Sequence, residues 1–255
     1  MGQLMSSVIS AYLNAATLLL PTLTRRPITL VPSHKDEKTL CRLHPDEPHE
    51  RFRPVPDSCS PPTLTSTLAR PIPNSYWATR LLLACEYPWT PKDPNKPKLD
   101  ALLRAGVRTF IDLTECGELR PYCGEVLTTR AEILGIDKKE IEYHRFPITD
   151  RCLPQSIEFM YSVMDVLRDN ENRGRISAVH CRGGIGRTGM VIGCWLIESR
   201  RAKDGVEALE IIAKEWKTVE KCNRFPHSPE TGPQFEFVLH FKAAPKPIQL
   251  VSVAS

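Results

Sequence analysis

The chain has 255 residues, 41% of them apolar and 25% charged, which suffices for one large domain or a medium domain with extensions. A net charge of +4 is too mild to demand a nucleic-acid partner, though it suits an anionic substrate. No run of about eighteen consecutive apolar residues is present, so no membrane-spanning helix is expected, and nine cysteines without a CxxC pair or a finger-like Cys/His cluster argue against a zinc site.

The N-terminus supports three readings. MGQLMS places Gly2 and Ser6 at the spacing for N-myristoylation. The absence of Asp and Glu from the first 35 residues, with Arg25 and Arg26, faintly resembles a transit peptide. An ordinary unstructured start is the third. Membrane contact is expected only if Gly2 is acylated. Eleven of the 23 prolines precede residue 75, and residues 21–74 are rich in Pro, Ser, Thr and charge. Residues 1–74 are therefore expected to form a largely disordered extension, with room for a short helix over 5–20. The cysteine usage fits free thiols in a reducing, cytoplasmic setting, with the nucleus or a membrane anchor as further options.

From Tyr76 the pattern changes to alternating strands and helices. YWATRLLLACEYP predicts a strand pair or a strand with a turn. KLDALLRAG (98–106) predicts a short helix closed by Gly106. VRTFIDLT (107–114) is an apolar strand, and EIEYHRFPI (140–148) a further one. Pro154 is expected at the first position of the next helix, with Ile157, Met160, Met164 and Leu167 on its inward face. RISAVH (175–180) is a strand running into Cys181. The helix from Arg187 to about Ser199 is apolar nearly all round, which predicts a central, buried position. Residues 204–217 predict an amphipathic helix with Val206, Leu209, Ile212 and Trp216 facing inward. The fold class is thus α/β, a central and mostly parallel sheet flanked by helices, over residues 75–242 with a tail at 243–255.

The stretch VHCRGGIGRTG (179–189) puts a glycine loop between that strand and that helix. A helix N-terminus offers unpaired N–H groups and the positive end of a dipole. Gly183, Gly184 and Gly186 can take the backbone angles that curl successive N–H groups of Arg182, Gly183, Gly184, Ile185 and Gly186 around one anion. No Gly-Lys-Ser/Thr follows, so this is no nucleotide P-loop. The same cradle is expected to hold Cys181 as a thiolate. Arg187 can grip two phosphoryl oxygens, and the Thr188 hydroxyl is expected to donate to the sulfur as it leaves.

HCRGGIGRTG resembles the signature loop of the cysteine-dependent protein tyrosine phosphatases, His-Cys-five residues-Arg-Ser/Thr. FPITDRCLP (146–154) is similar to the Pro-Ile-x-Asp segment of small dual-specificity phosphatases. That resemblance implies Asp150 as the general acid. Asp112 is a rival, but its buried strand suits backbone binding better. The run Leu113–Tyr122 resembles the Cys-Thr-x-Gly-Glu-Leu segment of kinase-associated phosphatases. SPETGPQFEFVLHF (228–241) resembles the family's C-terminal segment, which makes Gln234 a candidate to orient the hydrolytic water, with a surface helix glutamine as the alternative. His180 is expected to support the loop and tune Cys181. Cys152 is either a trap for oxidised Cys181 or a bystander thiol.

The resemblance implies a phosphate monoester hydrolase working through a phosphocysteine, without cofactor or metal, on a phosphorylated protein. The same chemistry on an RNA 5′ end, an inositol phosphate or a phosphoglucan is one alternative, and a phosphate-binding module without turnover is another. With one basic residue, Arg182, inside the loop and Ile185 at its fourth place, an inositol lipid is less favoured, and no nucleic-acid partner is expected.

Overall fold

In a computed structural model of the chain, residues 68–92 and 98–244 are described. Strand β1 (Ser75–Thr79) and β2 (Leu82–Cys85) form an antiparallel hairpin, and β2, β3 (Val107–Asp112), β4 (Glu142–Arg145) and β5 (Ile176–His180) pair in parallel. The sheet order is β1-β2-β5-β3-β4. All residues of β1 and β2 are buried, as expected of strands covered on both faces.

Among the described residues six α-helices provide that cover: α1 (Lys98–Arg104), α2 (Glu125–Ile133), α3 (Ile157–Asn172), α4 (Gly186–Glu198), α5 (Gly205–Trp216) and α6 (Gly232–His240). The alternation of side chains along each strand splits the core in two. Leu83, Phe110 and Ala178 face Leu99, Leu102 and Leu127 of α1 and α2. Ala84, Ile111 and Val179 face Met160, Met164 and Val191 of α3 and α4, with α5 and α6 beyond. Every residue of α4 from Gly186 to Ile197 is buried, which is why its sequence is apolar all round.

The register sets up the site. Cys85 pairs with His180, His180 with Asp112, and Asp112 with Arg145. These four residues end β2, β5, β3 and β4, so the loops that follow all leave the sheet from one transverse row at its carboxyl edge, the usual location of ligands in open parallel sheets.

Several local expectations need correction. Pro154 does not open α3; Ser156 does, its hydroxyl accepting from Phe159 N at 3.2 Å. A side-chain oxygen satisfies an orphan N–H, which a proline ring cannot do. Ile157 is half-exposed in that first turn, and the inward stripe is Met160, Val163, Met164 and Leu167. In α5, Val206 is 47% exposed, and Ala208 takes the inward place beside Leu209, Ile212 and Trp216. The strand expected over 140–148 is cut to four residues, because Lys138–Glu140 form a 3-10 turn and the chain leaves β4 after Arg145.

Residues just before β1 also pack on the domain. Ile72 is buried, Asn74 O accepts from Glu86 N at 3.1 Å, and Asn74 Oδ1 accepts from Lys221 N at 3.2 Å. At the other end Ala244 N donates to Glu198 Oε2 at 2.8 Å. The Gly2 acylation motif, the transit-like features and the helix expected over 5–20 lie outside the described residues. Among the described residues no helix is long and apolar enough to cross a membrane.

Candidate active site

Cys181 directly follows β5 and is 3% exposed. The loop behind it reverses at Gly184, whose φ of +74° suits glycine. A Cβ there would stand 2.6 Å from the carbonyl carbon and oxygen of Cys85, so the loop is pressed against the end of β2. Tyr87 N donates to Arg182 O at 3.2 Å, and Lys221 Nζ donates to Gly183 O at 3.2 Å. Ser228 Oγ donates to Ile185 O at 2.9 Å. The loop carbonyls are thus engaged from outside, while its N–H groups lie at the start of α4, where the helix dipole favours an anion. Ile185 is buried and immediately precedes that helix, and the Arg182 side chain is exposed.

Arg187, on the first turn of α4, is 1% exposed and heavily bound. Nη1 and Nη2 each donate to one oxygen of Glu118 at 2.7 Å. Nη1 also donates to Ile148 O at 2.9 Å, and Nη2 to Asp150 Oδ1 at 2.8 Å. Nε is buried without a partner among the described residues. Burial alone would disfavour the guanidinium charge, but Glu118, Cys181 and Asp150 outweigh it and hold the pKa of Arg187 above its ordinary value. Burial likewise opposes ionisation of Glu118; the Arg187 bond and a backbone N–H outweigh it and keep its pKa low. Glu118 is the residue the sequence reading passed over. It lies in the Gly-Glu-Leu run quoted above, and an acidic side chain leaving the same sheet edge as a buried arginine is the signal that could have found it.

Asp150 sits on the loop after β4. Phe146 N donates to Asp112 O at 2.8 Å and Ile148 N to Leu113 O at 3.1 Å, which fixes the chain up to the acid. The Asp150 side chain is 54% exposed and meets Arg187 at the loop's mouth. Its rival, Asp112, is fully buried. It accepts from Thr114 N and Oγ1 at 2.8 and 2.7 Å and from Tyr143 Oη at 2.5 Å, so it has a local structural task.

His180 is fully buried behind Cys181. Burial pushes its pKa down to about 4, against the opposing pull of Asp112, so the ring is neutral near pH 7. Nε2 lies 2.6 Å from Tyr122 Oη, and Nδ1 lies 3.7 Å from Asp112 Oδ1. The carboxylate favours the tautomer protonated on Nδ1, which leaves Nε2 to accept from the Tyr122 hydroxyl. Burial holds the Tyr122 pKa well above its ordinary value, so that hydroxyl keeps its proton.

The Thr188 hydroxyl, expected to donate to the sulfur, is fully buried and has no hydrogen-bond partner among the described residues. Gln234 is not a surface glutamine. It is fully buried at the start of α6, with Oε1 accepting from Glu230 N and Thr231 N at 3.3 Å and Nε2 donating to Cys152 O at 3.2 Å. A Cβ on Gly186 would stand 2.6 Å from Gln234 Oε1, so this amide abuts the glycine loop. Cys152 is disulfide-bonded whereas Cys181 is free, so the structure does not join the two, and Cys152 departs from the free-thiol expectation. Among the described residues no group of three or more His, Cys, Asp or Glu side chains is arranged to hold a metal ion.

Residues 82–227, more than half of the chain, match the family model described as the Swiss Army Knife protein DSP-PTPase phosphatase domain. The chain belongs to this family. This DSP-PTPase domain is 25% identical over 150 residues to the mouse (Mus musculus) protein tyrosine phosphatase domain-containing protein 1, covering 57% of this chain and 20% of that one. The zebrafish (Danio rerio) protein of the same name is 28% identical over 152 residues, covering 57% and 21%. The chain therefore spans about a fifth of the length of these two relatives. The crystal structure of Tk-PTP in the active form superposes with a TM-score of 0.50 at 24% identity, covering 65% of this chain and 94% of that one, and so shares the fold. The domain is that of a phosphatase of the protein tyrosine and dual-specificity superfamily.

Proposed function

We propose that this chain hydrolyses phosphate monoesters of proteins through a covalent phosphocysteine, with Cys181 as nucleophile. The observation that carries the reading is Arg187: a buried guanidinium directly after the glycine loop, steered by Glu118, with Nε unpartnered and Asp150 on Nη2. A bound phosphoryl group takes Nε and Nη2 together with the loop N–H groups. Asp150 then leaves Nη2 for the departing oxygen.

In the first step the Cys181 thiolate attacks phosphorus, the ester P–O bond breaks, and the Asp150 carboxyl gives its proton to the leaving oxygen. In the second, water attacks phosphorus and loses a proton to the Asp150 carboxylate. The S–P bond breaks, returning the thiolate and inorganic phosphate. Gln234, packed beside Gly186, is the candidate to orient that water through the Nε2 hydrogen that Cys152 O does not take. The Thr188 hydroxyl is the candidate donor to the departing sulfur. Positive charge and N–H dipoles fixed in place stabilise the transition state without a metal.

The catalytic region is too short to wall in a phosphotyrosine ring deeply, which favours a shallow site open to phosphotyrosine and phosphoserine/threonine. The test is phosphate release from a panel of phosphotyrosine and phosphothreonine peptides, soluble inositol phosphates, phosphoglucan and 5′-phosphorylated RNA. Release from both peptide classes above the other substrates is expected. Release confined to a non-protein phosphate would overturn the substrate class and leave the chemistry.

A further inference from the structure

The segment Ser228–Gln234 lies against both the glycine loop and the acid-bearing turn. On the loop side Ser228 Oγ bonds Ile185 O at 2.9 Å. The position of a Cβ on Gly186 is 2.6 Å from Gln234 Oε1 and 3.2 Å from Glu230 Cβ. On the acid side Arg151 Nη1 pairs with Glu230 Oε1 at 3.1 Å, and Gln234 Nε2 bonds Cys152 O at 3.2 Å.

The acid-bearing turn needs such a hold. Cys152 N donates to Thr149 O at 3.0 Å, closing a four-residue turn with Asp150 and Arg151 at its centre. Arg151 has a φ of +62°. Glycine or asparagine is the cheap residue at that position of such a turn. An arginine stays there only where its surroundings impose the conformation. The surroundings that do so are the Glu230 ion pair on its side chain and the Gln234 bond on the next carbonyl. The same turn separates its two central side chains, Asp150 going to Arg187 and Arg151 to Glu230.

We propose that Glu230 is a positioning residue for Asp150. Acting through Arg151, it fixes the acid turn to the segment that also braces the glycine loop, and so sets the acid's place relative to the nucleophile. This rests on the phosphatase reading above. The Arg151 and Glu230 side chains are 45% and 24% exposed, so the pair adds little to stability. Its effect falls on the rate, because a proton donor displaced by about an ångström loses most of its advantage.

The test compares two esters in the full chain. Phenyl phosphate needs its leaving oxygen protonated, whereas 2,4-dinitrophenyl phosphate leaves as a stable anion. Glu230→Gln is expected to lower kcat/KM, which reports only the steps up to release of the leaving group, by about tenfold or more on phenyl phosphate and by less than about twofold on the dinitrophenyl ester. Arg151→Gly is expected to show the same selective loss with no fall in thermal midpoint, since glycine accepts the turn. The exchange Arg151→Glu with Glu230→Arg is expected to recover most of the phenyl phosphate rate. Equal losses of kcat/KM on both esters, or no loss on either, would overturn the proposal. A wild type that hydrolyses neither ester, or a Cys181→Ser variant that hydrolyses both, would overturn the phosphatase reading beneath it, so the two failures are distinguishable.

Discussion

Glu118 receives both terminal nitrogens of Arg187, one on each carboxylate oxygen at 2.7 Å. A guanidinium on a flexible stem can point many ways; a planar fork gripped end-on by a carboxylate can point only one. The pair is mostly buried, with side-chain exposures of 1% and 13%, so removing one partner leaves a poorly compensated charge. Glu118→Gln is expected to lower kcat/KM by roughly 30- to 150-fold, equivalent to about 2–3 kcal/mol of lost transition-state stabilisation. A urea midpoint measured beside the kinetics checks that the loss in rate exceeds the loss in stability.

The buried His180 makes stability depend on pH. Its pKa is about 4 when folded, against an ordinary value of 6.5. The folded state therefore binds fewer protons, and acid favours unfolding. Above pH 6.5 the contribution is complete; it is lost as pH falls from about 6.5 to about 4, and amounts to about 3 kcal/mol. Urea unfolding at several pH values in this window should show that slope, and His180→Asn should flatten it. Tyr122→Phe removes the hydroxyl 2.6 Å from Nε2 and is expected to cost about 1–3 kcal/mol, because a buried acceptor loses its donor.

Neighbouring glycines of the loop should differ sharply. Gly184→Ala places a methyl 2.6 Å from the Cys85 carbonyl and 2.7 Å from Glu86 N, at a φ of +74°. Both obstacles are backbone, so the loop must move. Turnover is expected to fall by roughly a hundredfold or more, as a preorganised oxyanion cradle is lost. Gly183→Ala meets only the Ile185 side chain at 3.2 Å, which can shift, and is expected to keep most activity. Parallel kinetics on the two variants decide this.

Asp150 rests on Arg187 Nη2 at 2.8 Å, the place proposed for a phosphoryl oxygen. Asp150→Ala is expected to slow turnover of phenyl phosphate by ~10²–10⁴-fold. The same variant should bind inorganic phosphate more tightly, since a competitor for Nη2 has gone. Phosphate inhibition constants measured on both proteins check the second half.

The residues proposed to hold phosphate are legible because they are adjacent in sequence: a strand, a cysteine, glycines, an arginine and a helix within one short run. Residues brought together by the sheet edge were harder to read. Glu118 lies 69 positions from Arg187, and nothing local says that the chain after β3 returns to α4. Arg151 and Glu230 are 79 apart, and each reads as a surface charge. Helix α2 escaped because it buries only Leu127 and Ala131, too few to make a stripe. Val206 was misplaced because apolar spacing does not say which edge of the stripe meets solvent, and Pro154 because a hydroxyl two residues later makes the better cap.

Phosphate release from p-nitrophenyl phosphate in the presence of EDTA, wild type beside Cys181→Ser, tests the central claim most directly. The account predicts metal-independent release that is abolished in a variant still able to bind substrate. Undiminished release by Cys181→Ser, or a well-folded wild type that releases phosphate from neither this ester nor the peptide and non-protein panel, would contradict it.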